Sequence, residues 1–169
     1  ITATISTTEI GTLTTLTANT GTTANAYTIT VGGTELLAAD LNTLAGLTSV
    51  ANGTTANNAT KVTGTADAVK DVYVTNLAKF TGITNEAITL TDTALNADTL
   101  AAIDTPATGL ITVSAATSIS GTATNVTNAF TKSNTGTAVA GLATTIPVTL
   151  TDTTVSATTL LTIAGTTAG

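Results

Sequence analysis

The chain contains no histidine, cysteine, methionine, tryptophan, arginine or glutamine, and its only cations are Lys61, Lys70, Lys79 and Lys132. Each absence excludes something. Without histidine or cysteine, the imidazole-activated serine and the cysteine nucleophile cannot be assembled, and although lysine can act as the base, no motif places one beside a serine. Ser114, Ser118, Ser120, Ser133 and Ser156 therefore have no imidazole to act on them, and no catalytic residue is expected. Four lysines against ten acids give a net charge of −6. That balance argues against nucleic acid, whose phosphates are neutralised by clustered Lys and Arg. Four aromatics (Tyr27, Tyr73, Phe80 and Phe130) are too few for a base- or sugar-stacking platform. No window approaches the roughly 18 uninterrupted apolar residues of a membrane span, so no membrane insertion is expected.

What is present is threonine, about three residues in ten, with alanine, glycine and asparagine making up much of the rest. Leucine, isoleucine, valine and phenylalanine together reach about a quarter of the chain, above the roughly 20% floor below which chains tend to stay disordered.

The chain also repeats itself. Ile29-Thr30-Val31 leads through Leu36 and Ala38 to Leu41 and Leu44. The same pattern returns from Ile88 to Ile103, and again from Val148 to Ile163, at offsets of 59 and then 60 residues. Between these copies, "KVTGTADAVKDVY" at 61–73 matches "SISGTATNVTNAF" at 118–130. The N-terminal stretch "ITATISTTEIGTLTTL" fits this second half-unit loosely, with Ile1 standing where Leu110-Ile111 stands. The organisation expected is an N-terminal half repeat (1–26), two repeats (27–86 and 87–146) and a C-terminal half repeat (147–169). Gly169 matches Gly109, so a second chain placed after this one would continue the pattern. The expectation is a window on a longer array, or a subunit that stacks head to tail.

"ITLTDT" and "VTLTDT" alternate large apolar residues with threonine at period two, the half-buried strand signature. "LNADTLAAI" suits a short helical turn. "TADAVKDVY" and "TATNVTNAF" suit helices with Thr65 and Thr122 as N-caps and Tyr73 and Phe130 in the core. A strand with a short helix cannot bury its apolar face alone, so stacked copies must complete the core. The fold expected is a β-rich repeat protein, stacked strand and short-helix units forming a solenoid-like rod. The alternative is a tandem of small β-sandwich domains.

The acids are the remaining chemistry. Asp92 and Asp152 fall at equivalent positions in "TDT", where the first copy has Gly33. They are candidate calcium ligands, since calcium takes six to eight oxygens. As turn residues they would instead bond their own backbone. "TLT" and "TIT" triplets raise ice binding, although sixty-residue units are long for that purpose. "NGT", "NAT" and "NVT" match the N-glycosylation sequon, as a chain rich in Asn and Thr will by chance.

The phrases "EAITLTDTALNADTLAAI", "ATSISGTATNVTNAF" and "TGTADAVKDVY" resemble the Thr/Ala/Gly-rich repeats of large secreted surface or filament proteins of cyanobacteria and other aquatic bacteria. The resemblance implies an extracellular or cell-surface location and a filament, scaffold or adhesin role, and it carries over no binding residue. From the residues themselves, assembly is expected to use Ile1, Ile5, Ile10 and Leu13 at one end and Val148, Leu150 and Ile163 at the other. The partner is a further copy of the chain or its own continuation. If the chain is instead a binding module, the least repetitive stretch, 47–60, is where its ligand face would lie.

Overall fold

Alternation of a large apolar residue with threonine turns one residue type to each side of a strand. The computed structural model, which describes residues 2–7 and 26–167, arranges those strands in three sheets. The first sheet takes β1 (Thr2–Thr7), β2 (Ala26–Val31), β4 (Thr54–Thr55) and β6 (Phe80–Thr81). The second takes β3 (Glu35–Leu37), β5 (Lys61–Gly64), β7 (Ala87–Leu90), β9 (Ile111–Thr112) and β11 (Val139–Ala140). The third takes β8 (Ala94–Asn96), β10 (Ser118–Gly121) and β12 (Val148–Leu150).

Every pairing among the described residues is parallel. Leu36 pairs with Val62, Val62 with Ile88, Ile88 with Ile111 and Ile111 with Val139. All five are essentially removed from solvent. On alternate positions Thr63, Thr89 and Thr112 form a second row.

Parallel neighbours cannot be joined by a tight turn, and the crossover needs a dozen or more residues. Those crossovers hold the helices α1 (Ala38–Leu47), α2 (Ala66–Lys70), α3 (Ala97–Asp104) and α4 (Ala123–Thr135), while α5 (Ala157–Thr166) follows the last described strand. After α2 the chain continues through a wide turn at Asp71–Thr75 and a tight one at Leu77–Lys79. Each helix packs on the next in chain order. Leu41, Leu44, Val69, Leu100, Ile103, Val126 and Phe130 meet the strand residues in one continuous core.

This overturns the expected β-rich, solenoid-like rod, and the antiparallel sandwiches of the alternative. The protein is mixed α/β, with five α-helices among the described residues and about 38% helix against 25% strand. It belongs with the parallel α/β architectures, of which Rossmann-like folds are the familiar case. The reason lies in threonine. Its branched side chain favours strands, but its hydroxyl can also bond the carbonyl four residues back in a helix. Thr43 does so to Ala39, Thr105 to Ala101, Thr127 to Ala123 and Thr162 to Thr158. Threonine count therefore overstated the strands.

The helix starts come close to expectation. Thr65 caps α2, accepting from Ala68 N–H. Thr122 occupies the N-cap position of α4, but its hydroxyl donates to Asp98 at 2.7 Å instead. α4 ends at Gly136, whose φ of 64° is the left-handed conformation glycine adopts without penalty.

Strand pairing recurs along the chain. β3–β5–β7, joined through Leu36, Val62 and Ile88, is matched by β8–β10–β12, joined through Leu95, Ile119 and Val148. One position departs from expectation. β1 lies beside β2 with Ile5 opposite Ile29, the side on which β5 lies beside β7. It does not take the place of Leu110-Ile111, which pairs on the other side of β7.

The buried ladder also contains one mismatch. Thr54 is fully buried and its hydroxyl has no hydrogen-bond partner, whereas the corresponding residue opposite Ile88 is Ile111. A buried unpaired hydroxyl costs about 1–3 kcal/mol. Thr54→Val should therefore raise the free energy of unfolding by about 1 kcal/mol, read by urea titration. An unchanged or lowered midpoint would show that the hydroxyl is satisfied in solution.

Candidate functional site

The acids do structural work. Asp92 Oδ2 accepts the first backbone N–H of α2, from Ala66 at 2.7 Å. Asp152 Oδ2 accepts the first of α4, from Ala123, also at 2.7 Å. Both reach across from a neighbouring strand end to a helix start, where unpaired N–H groups and the helix dipole favour an anion. Neither gathers a set of oxygens, and no group of three or more metal-ligating side chains occurs among the described residues. The calcium reading of Asp92 and Asp152 thus has no ligand shell to rest on, and their observed partners are amides.

Asp98, in the first turn of α3, makes a different link, to the start of α4. Its Oδ1 accepts from Asn125 Nδ2 and from the Thr122 hydroxyl, both at 2.7 Å, and from Thr122 N–H at 3.1 Å. The Asn125 bond first, then the Thr122 bonds, hold its carboxyl below the usual carboxylate range. A lowered folded-state value adds stability above the unfolded value, near 3.9, and that stability disappears as pH falls through the folded value. Melting temperature should therefore fall below about pH 4, and less so in Asp98→Asn, as followed by circular dichroism. Equal acid sensitivity of the two proteins would remove Asp98 from the account.

One buried polar pair sits in the core. Tyr73 Oη donates to Glu86 Oε2 at 3.0 Å, with both residues shut off from water and Glu86 Oε1 unpartnered. Burial, then the adjacent carboxylate, pushes the phenol well above its ordinary range, so it stays a donor. In the next copy these two positions read Phe130 and Ile146. The chain thus exchanges both partners together, as expected where one alone would be left unsatisfied. Tyr73→Phe should cost about 1–3 kcal/mol in stability, and Tyr73→Phe with Glu86→Ile should recover most of it. Additive losses in the double variant, measured by urea unfolding, would contradict the pairing.

The remaining candidate lies at the last strand and helix. Val148, Leu150 and Ile163, expected at an assembly face, do converge. With Ile146, Leu160 and Ala164 they line a groove of about 440 Å³. Ile5 lies on β1 in a different sheet, and Ile1, Ile10 and Leu13 fall outside the described residues. Ile146, Leu160 and Ala164 were not singled out in the sequence, although the alignment of Leu160 with buried Leu100 was a usable signal. Leu100 is 2% exposed and Leu160 is 49% exposed. Val148 and Leu150 are half-buried, while their counterparts Ile88 and Leu90 are buried.

Other concavities are smaller. A cleft of about 190 Å³ between α3 and α4 is floored by Leu100 and Ala129 and crossed by the Asp104–Lys132 ion pair. A second, of about 250 Å³ between α4 and α5, is lined by threonines and Asn128. Strand order runs in chain order within each sheet, so the described strands offer no reversal point of the kind that forms ligand crevices in open α/β sheets. The irregular stretch 47–60 contributes β4 to the first sheet rather than standing apart. No described helix is long and apolar enough to cross a membrane. No protein-family model matches the chain, and neither curated proteins nor solved structures include a match to it.

Proposed function

We propose that the chain is a structural, non-catalytic segment of an extracellular filament or surface scaffold, in which copies or continuations of the chain stack head to tail. The observation that carries this is the contrast between equivalent copies. The strand and helix from Ile88 to Ile103 are enclosed by the sequence that follows them, and those from Val148 to Ile163 are half open. A face that is core in one copy and groove in the next wants the same cover. Charge supports the reading. Residues 1–34 carry only Glu9, and residues 133–169 carry only Asp152. The two ends can therefore approach without the like-charge repulsion that a −6 chain otherwise exerts on its copies.

An extracellular setting accords with the resemblance to secreted Thr/Ala/Gly-rich repeats. Four lysines and no arginine also leave few sites for trypsin-like proteases. The direct test is sedimentation velocity of residues 1–169 across a hundredfold concentration range, with and without residues 1–17. The expected result is growth into larger species with the full chain and loss of that growth in the truncated one. Concentration-independent monomers in both would overturn it.

A further inference from the structure

We infer that the groove on β12 and α5 is an acceptor for one extended, uncharged strand, and that the strand it takes is β1 of a second copy. This inference rests on the stacking proposed above and specifies its joint.

The chain shows what covers such a face. β12 is the counterpart of β7, and β7 is paired on both sides. On its inner side lies β5, as β10 lies beside β12. On its outer side lies β9, with Ile88 N–H donating to Leu110 O at 2.8 Å and Ile111 opposite Ile88. α4 then packs against α3. Approach there is tight: a methyl group on Gly109 would lie 1.9 Å from the Glu86 carbonyl oxygen. Among the described residues nothing pairs with the outer edge of β12. Its apolar lining (Ile146, Val148, Leu150, Leu160, Ile163 and Ala164) is what an incoming strand of that kind would bury.

Three features select β1 as the occupant. It stands at the outer edge of its own sheet, paired only with β2 among the described strands. All described strands run parallel, so its addition would join the third sheet of one copy to the first sheet of the next in one polarity. "ITATIST" also alternates apolar residues with threonine and serine as "LITVSA" at 110–115 does, and it carries no charge. Strand addition of this type draws affinity from main-chain hydrogen bonds and specificity from alternate side chains in a groove.

The test uses the full 169-residue chain, two fluorescently labelled peptides and three variants. The peptides are ITATIST (residues 1–7) and GLITVSA (residues 109–115). Leu150→Lys places a charge in the groove, and Leu160→Glu does so on a side chain that solvent already reaches. Leu37→Lys, at an exposed site on β3, serves as control. The expected result is that ITATIST binds the chain, and that both groove variants weaken peptide binding and self-association at least about tenfold, some 1.4 kcal/mol. Leu37→Lys should leave both unchanged. Self-association that persists at full strength in folded Leu150→Lys and Leu160→Glu would overturn the groove while leaving head-to-tail stacking intact. Binding of GLITVSA without ITATIST would overturn β1 as the occupant and assign the groove to a covalent continuation of the chain. A chain that neither associates nor binds either peptide would overturn the inference and the stacking together.

Discussion

The parallel row Leu36–Val62–Ile88–Ile111–Val139 is the constraint on which the rest of the structure depends. Parallel neighbours need a long connection, so residues paired in this row lie 23 to 28 positions apart in the chain. The connection must return to the sheet and still bury its own apolar side chains. Residues such as Leu41, Val69, Leu100 and Val126 do this from helices laid side by side over the strands. Asp92 and Asp152 then tie a strand end to the first amide of the helix before it, α2 and α4, and Asp98 ties the first turn of α3 to Thr122 at the start of α4.

Much of this was legible in the sequence. The apolar–threonine alternation marked the strands at 29–31, 88–90 and 148–150, and the caps at Thr65 and Thr122 marked two helix starts. The balance of helix to strand was not legible, because threonine's strand preference hides its capacity to bond backward in a helix. The partners of Asp92 and Asp152 were hidden for another reason. Their amides lie 26 and 29 residues away, beyond the reach of any local motif. Tyr73 and Phe130 were legible as core from their helical spacing. The Tyr73–Glu86 bond was not, since nothing in the sequence folds a carboxylate thirteen residues on, in the bend before β7, back against that ring.

The candidate site was legible in part. Val148, Leu150 and Ile163 were expected together and line one groove. Its partial openness, however, is a tertiary property: the same pattern is enclosed around Ile88 and half open around Val148. A repeat tells which residues are equivalent and leaves unsaid which copy lacks its cover.

If, as proposed, stacking covers the half-open last copy, the protection of its strand depends on concentration. Amide hydrogen exchange at 148–150, compared with 88–90 across concentration, tests it most directly. Stacking would give fast exchange at 148–150 in dilute solution, slow exchange at 88–90 throughout, and protection of 148–150 that rises as the chain is concentrated. Equal, concentration-independent protection of the two strands would contradict it.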